Sequence, residues 1–388
     1  MTCSDKFEKH FGITPDGEVF CPYRICPLGA HTDHNLGLVS GFALDTGVKI
    51  AFSSRDDGEI KVKSAQFGFE HGWNINQTPE TKTGDWADYL RGVTLELKKT
   101  YNPEYGINAY IDGAFCTGGL SSSAAVTLAF LNALCRVNHI TFSEKAYITA
   151  AHNAEHNYVG VKCGTLDQSC EVLCRKNKLL FLDTLDGKYS LIEAKKEMKP
   201  YEIGIFSSGT GHRLADSKYN VRADELKSAA FSIKAFAGVE QCGFAETYMR
   251  DVDRDLFEKY KNHLPDSFGK RAEHWYAECD RVLKGVEAWE NGNIDSFGSL
   301  MNQSGVSSIN LWETGNEELS SLTHILSHTD GVYGARFSGA GFGGCCIAMT
   351  DPGEREDITL KVKNEYSRLF PGLEFTAYFC ETGDGMKI

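Results

Sequence analysis

The chain has 388 residues, enough for two domains with separate cores, and 41% hydrophobic, 24% charged and 11% aromatic residues are the proportions of a globular protein. A formal net charge of −13 argues against a nucleic-acid partner, because phosphate backbones reward a basic surface. No run approaches the roughly 18 apolar residues of a membrane span, the N-terminal MTCSDKFEKHFG lacks a signal-peptide pattern, and the 13 cysteines include no C-x-x-C pair, so the expectation is a cytoplasmic protein with reduced thiols.

Taken in chain order, residues 18–52 hold strand-like apolar runs, EVFCPYRI, GLVSGFALD and VKIAFSS, separated by turn residues. Residues 121–136 predict a helix with a serine-rich start and a wide apolar face, and 143–158 a second helix. A strand pair around 178–192 turns at Asp186-Gly187. EIGIFSS then predicts a strand, 220–236 a helix, 270–291 and 353–369 long charged helices, and 344–349 and 374–380 strands. Strand pairs mixed with helices, without regular alternation, give an α+β class. A boundary near 200 divides the chain into 1–200 and 201–388.

The strongest local signal is Thr117-Gly118-Gly119-Leu120-Ser121-Ser122-Ser123-Ala124-Ala125. Two glycines allow close backbone approach to a ligand. The serines then stand at a helix N-terminus, where free N–H groups and the helix dipole favour phosphate oxygens. A serine hydroxyl there can also ligate Mg²⁺, which prefers oxygen. The alternative is a simple N-cap, but a cap needs one serine rather than three behind two glycines. The G-x-x-x-x-G-K-S/T phosphate loop and the H-R-D kinase loop are both absent.

Gly118 to Ala125 resembles the second motif of the GHMP kinases, the family of galactokinase, homoserine kinase, mevalonate kinase and phosphomevalonate kinase. Pro22 to His34, PYRICPLGAHTDH, is similar to the galactokinase signature G-R-V-N-L-I-G-E-H-T-D-Y. Cys163 to Gln168, CGTLDQ, resembles C-G-I-M-D-Q, and Arg336 to Cys345, RFSGAGFGGC, resembles R-M-T-G-G-G-F-G-G-C. The motifs run in order from residue 20 to 346. The resemblance implies an N-terminal domain like ribosomal protein S5 domain 2, a ferredoxin-like C-terminal domain, an active site between them, and ATP and Mg²⁺ as cofactors.

It also implies roles. Asp167 corresponds to the base that takes the proton of the sugar hydroxyl, and Arg24 to the arginine that flanks it. Ser123 and Glu155 match the Mg²⁺ ligands, while Gly118, Gly119, Leu120, Ser121, Ser122 and Ser123 match the phosphate cradle. His31, Asp33, Gly164 and Tyr219, the last in Ser217 to Arg222, match the sugar site together with position 30. Trp86, in WADYLRGV, falls where the family has its adenine pocket, although core packing explains Trp86 and Tyr89 equally well. Each has a plainer reading: Asp167 as a helix cap, Glu155 as a solvated glutamate, Gly339 to Gly344 as a structural turn. That last segment also fits G-x-G-x-x-G, but the following CCIAM reads as a strand, which removes a dinucleotide site. His152 and His156 share a helix face, but the order H-E-x-x-H is not met, and a lone pair of this kind is ordinarily surface or packing.

One departure bears on substrate. Where the signature has glutamate, the acceptor for the sugar 6-hydroxyl, this chain has Ala30, and His34 replaces the tyrosine. Removing the carboxylate removes a charge that would repel a C6 carboxylate by about 4 kcal/mol at 4 Å and an effective dielectric of 20. The segment resembles galacturonokinases most. The expectation is an ATP-dependent sugar 1-kinase favouring galacturonate, with galactose or a sugar lacking the C6 hydroxyl, such as arabinose, as alternatives. A C6 carboxylate would be matched by His34, Lys218 or Arg222. The partners expected are sugar and ATP alone, with no nucleic acid or membrane, and the protein a monomer or weak oligomer. A sugar-responsive regulator on the same fold would have lost Asp167, Arg24 or the serine loop, and this chain keeps all three.

Overall fold

The structure, a computed structural model, describes residues 1–114, 118–211, 218–239 and 243–388. Thr117 and Ser217, which border two of the motifs, lie outside the described residues. Helix α1 (Cys3–Phe11) precedes strands β1 (Gly17–Ile25), β2 (Leu38–Arg55), β3 (Glu59–Ser64) and β4 (Glu70–Asn74). Then come α2 (Asp88–Lys98), β5 (Gly106–Gly113), α3 (Ser122–Val137), α4 (Glu144–Asn153), α5 (Leu166–Leu173), β6 (Leu179–Asp183) and β7 (Lys188–Ile192). These strands form one sheet in the order β4-β3-β5-β2-β6-β7, with β1 also on β2; β3 and β5 are parallel and the other pairs antiparallel.

The two runs expected as separate strands fuse into the 18-residue β2. Gly47 makes this possible: a Cβ there would lie 2.0 Å from the Cys21 carbonyl of β1. Opposite it the β1–β2 register shifts between Pro22 and Arg24. Pro22, which has no N–H for the ladder, stands at the irregularity, and such bulges re-aim the neighbouring side chains. Helix α3 is buried almost all round, from Ala124 to Val137, so it runs inside the domain and not over it.

The second half contains β8 (Glu202–Ser207), α6 (Tyr219–Phe236), α7 (Arg254–Tyr260), α8 (Asp266–Glu290), α9 (Ile294–Asn310), α10 (Glu317–Ser327), β9 (Val332–Phe337), β10 (Cys345–Thr350), α11 (Arg355–Leu369) and β11 (Thr376–Cys380). Its antiparallel sheet has the order β11-β8-β10-β9. Alternation on β8 and β10 sends Phe206, Cys346 and Ala348 toward α10 and α11. It sends Ile203, Ile205, Ile347 and Met349 into the core that the first sheet shares with Trp289, Phe297 and Met301 of α8 and α9. A last strand, β12 (Thr382–Gly383), returns to β2. Beyond it the Gly385 and Met386 N–H groups donate to the Cys174 and Glu171 carbonyls, at 2.8 and 2.7 Å, and Asn132 donates to the Lys387 carbonyl. Among the described residues no helix is long and apolar enough to cross a membrane.

The helix expected over 143–158 is shorter. It ends at Asn153 and passes into a π-helical turn, Ala154–Val159, closed by Gly160 in the left-handed region. Such turns add a residue to the helical repeat and rotate the side chains beyond it onto a new face. Here Glu155 is turned inward and is only 6% exposed.

Candidate active site

Three segments converge between the halves. Arg24, near the end of β1, is buried, and its Nε–H donates to Asp167 Oδ1 at 2.7 Å. Its Nη1 donates to the Gly119 carbonyl at 3.0 Å, so one guanidinium ties the Gly-Ser loop to the first turn of α5. Burial alone would weaken the Arg24 charge, but the adjoining Asp167 carboxylate outweighs it and raises the guanidinium pKa. Asp167 Oδ2 accepts a short hydrogen bond from Ser121 Oγ.

That bond decides the capping alternative. Ser121 holds the N-cap position of α3 in the left-handed region, φ 59 and ψ 38, and its side chain makes no capping bond. Its hydroxyl serves Asp167 instead. Leu120 contributes through its backbone, since its carbonyl accepts from the Arg24 N–H at 3.3 Å while its side chain is buried. Ser122 and Ser123 open α3, where backbone N–H groups have no intrahelical partner. The turn at 339–344 lies flush against this loop: a Cβ on Gly344 would meet the Gly118 carbonyl at 2.3 Å, and one on Gly119 would meet the Ser338 carbonyl at 2.8 Å. Ser338 Oγ donates to the Gly119 carbonyl at 2.6 Å.

Glu155 faces Ser123 and accepts from Gln168 Nε2. Burial first, and the neighbouring Asp167 carboxylate second, push its pKa up to about 7. An oxygen-only donor pair of Ser123 and Glu155, with a second carboxylate beside it, fits a hard divalent cation, because such a charge removes the repulsion that raises Glu155. One turn beyond Asp167, Glu171 is fully buried and neither carboxyl oxygen has a partner. Burial, reinforced by Asp167, drives its pKa well up, which keeps this third acid protonated.

Ala30, His31, Asp33, Leu166 and Tyr219 line the same pocket as Arg24, Asp167 and Glu155. Asp33 is pinned: its Oδ2 accepts from the Leu166 N–H at 3.2 Å, and a Cβ on Gly164 would lie 2.5 Å from its carboxylate. Burial opposes its charge, but His34 and the Leu166 N–H prevail and lower the pKa. His31, φ 62, stacks on Trp312 with ring centroids 5.3 Å apart, and its buried Nε2 has no protein partner. Burial and the cations around it lower the His31 pKa well below the usual value, so the ring is neutral. Of the groups expected to match a C6 carboxylate, Arg222 is engaged with Glu225, Lys218 is exposed at the start of α6, and His34 lines a neighbouring cavity. Arg336, which the sequence had suggested only as a motif position, stands in the pocket wall. It donates to Ser304, Ser308 and the Phe337 carbonyl, all neutral acceptors, with Glu278 4.0 Å away and shared with Arg281.

A second cavity of about 550 Å³ adjoins this pocket through Tyr89, Gly118, Ser122 and Ser123. Trp86 lines it, stacked on Phe67 with centroids 5.7 Å apart, and its indole N–H is buried without an acceptor. Apolar walls and a few unsatisfied polar groups are the makings of a ligand site. Phe67 and Gln66 belong to it as well, and nothing in their sequence context marked them.

Comparison with known proteins agrees with the arrangement. Residues 88–175 match the GHMP kinases N terminal domain, 284–368 the GHMP kinases C terminal domain, and 5–54 the galactokinase galactose-binding signature. The galacturonokinase of Arabidopsis thaliana is 35% identical, with 95% of this chain and 93% of that protein covered. A galactokinase of Roseiflexus is 30% identical over 98% and 95%. The crystal structure of Lactococcus lactis galactokinase complexed with galactose superposes with a TM-score of 0.90 at 26% identity, covering 99% of this chain and 98% of that one. With two halves of mixed sheet and helix meeting at one glycine-rich, carboxylate-lined pocket, the chain belongs to the galactokinase family of the GHMP kinases and is a sugar kinase.

Proposed function

We propose that the chain transfers the γ-phosphoryl group of ATP to the anomeric hydroxyl of galacturonate. The observation that carries the choice of sugar is Ala30 in the pocket wall, where the galactokinase signature has glutamate. A C6 carboxylate beside that glutamate would be repelled by about 4 kcal/mol at 4 Å and an effective dielectric of 20. Beside Ala30 it meets a methyl group, with the charge of Arg336 in the same wall. The likeness to the Arabidopsis galacturonokinase supports the reading.

Asp167 Oδ2 orients the anomeric hydroxyl and takes its proton as the oxygen attacks the γ-phosphorus; the bond to the bridging β–γ oxygen breaks and ADP leaves. Arg24 and Ser121 hold the Asp167 carboxylate in register, and Arg24 offsets charge on the attacking oxygen. The first turn of α3 and the Gly118–Gly119 backbone receive the phosphates, while Trp86 and Phe67 flank the base. Ser123 and Glu155 would hold Mg²⁺, which when bound neutralises phosphate charge. His31, Asp33, Gly164 and Tyr219 form the sugar wall.

The test is ADP release measured across galacturonate, galactose, glucuronate, N-acetylgalactosamine and arabinose. Galacturonate gives the highest kcat/KM on this reading. A higher value for galactose overturns the choice of sugar and leaves the kinase assignment standing.

A further inference from the structure

The last turn of α4 presents His152 and, four residues on, the π-helical turn presents His156, with ring centroids 5.3 Å apart. Both rings turn toward one residue of the loop before α5. His152 Nε2 lies 3.1 Å and His156 Nδ1 3.2 Å from the Cys163 carbonyl oxygen. The Cys163 thiol completes the group: one ligand atom from each of the three residues lies within 4.8 Å of the others. We propose that His152, His156 and Cys163 bind zinc, and that the bound ion slows sugar turnover by drawing the Cys163–Thr165 loop away from the sugar pocket.

Two imidazole nitrogens and a thiolate form a donor set that selects zinc and similar soft or borderline cations over magnesium. Around a tetrahedral zinc, with bonds of about 2.0–2.3 Å, neighbouring ligand atoms stand about 3.3–3.7 Å apart. The three groups must therefore close by about 1 Å. Side-chain rotation of the two histidines supplies part of that. Both are on the accessible side: His156 is exposed and His152 partly so. All three residues line a cavity of about 450 Å³, which leaves room for water as a fourth ligand. The nearby Lys162 charge is offset by Asp224 at 2.6 Å. Binding releases one proton, from the thiol.

Cys163 lines the sugar pocket as well as this cavity. Gly164 comes next and packs so tightly that a Cβ would strike Asp33, and the Leu166 N–H holds the Asp33 carboxylate. A shift of Cys163 toward α4 therefore disturbs Asp33, and the consequence falls on sugar KM more than on ATP KM. The oxygen donors Ser123 and Glu155 form a separate site, so millimolar magnesium does not compete.

The experiment uses the full chain freed of metal by chelator. Calorimetric titration with zinc, in the absence of nucleotide, gives one ion per chain. Cobalt in its place gives a thiolate-to-metal charge-transfer band. His156→Gln weakens zinc binding by about tenfold or more, and His152→Gln does the same, while both keep wild-type turnover without zinc. In kinase assays with excess magnesium, zinc raises the sugar KM of the wild type and not of His156→Gln. No zinc binding by the wild type, undiminished binding by both variants, or a cobalt complex without the thiolate band overturns the site. Equal inhibition of wild type and His156→Gln overturns the link to the loop. Zinc binding is read without any sugar, so its failure is separate from a failure of the galacturonate reading.

Discussion

Glu155→Gln separates the electrostatics of the site from its packing. The folded protein raises this carboxyl from 4.5 to about 7, through burial and then Asp167. A raised acid holds its proton in the folded state while the unfolded chain has released it. Below about pH 4.5 both states are protonated and the shift costs nothing. Between about 4.5 and 7 the folded state binds more protons, so stability falls as pH rises, and above 7 the loss is complete. At about 1.4 kcal/mol per pH unit the full loss is on the order of 3 kcal/mol. Glutamine keeps an oxygen for Gln168 and has no charge to lose. Denaturant unfolding of both proteins without metal, from pH 4 to 8.5, reads the difference, since carboxylates remote from Glu155 cancel between them and only those coupled to it, Asp167 and Glu171, add to it. The variant gains on the wild type across pH 4.5–7 and is the more stable protein above it. Adding magnesium and nucleotide at pH 8 stabilises the wild type and narrows the gap, while the variant loses turnover. Parallel stability curves from pH 5 to 8 would refute the account of Glu155 as a carboxyl raised by burial beside Asp167.

Asp167→Asn lowers kcat by about 10²–10⁴-fold while nucleotide binding, measured by calorimetry, persists; near wild-type turnover removes Asp167 as the base. Ala30→Glu lowers kcat/KM for galacturonate and raises it for galactose, because the new carboxylate repels one C6 group and accepts a hydrogen bond from the other; an unchanged ratio of the two constants contradicts the charge argument. Gly344→Ala, at φ 101 and against the Gly118 carbonyl, lowers stability by about 1–3 kcal/mol and raises the KM for ATP; a variant with the wild-type unfolding midpoint and KM shows that the two loops do not depend on each other.

What was legible in the sequence was the chemistry written in contiguous runs. The serine-rich start of α3, the strand carrying Arg24 and the tight segment into Asp167 each announce themselves locally, because glycine and serine signal backbone geometry. The π-helical turn at Ala154–Val159 has no such signal, since any helical sequence can host the extra residue, and it is what turns Glu155 inward. The Ser121–Asp167 bond was hidden for a different reason: serine at a helix start reads as a cap, and only the left-handed backbone shows that the hydroxyl serves elsewhere. Arg336 reads as part of a glycine motif, and its place in the pocket wall depends on α9 packing over it. The Trp86–Phe67 stack joins the start of α2 to the β3–β4 turn, a pairing that periodicity does not encode.

The return of residues 382–387 to the first sheet sets an order of assembly. Helix α5 offers its final carbonyls to Gly385 and Met386, and β2 is completed by β12. The helix carrying Asp167 thus reaches its finished surroundings only after some two hundred further residues have left the ribosome. Until then the last turn of α5 lacks the partners that Gly385 and Met386 supply to its carbonyls. The same dependence makes Gly385 a sensitive position: a Cβ there would lie 2.2 Å from the Val172 carbonyl, so Gly385→Ala disturbs the helix that carries Asp167 from a point far along the chain.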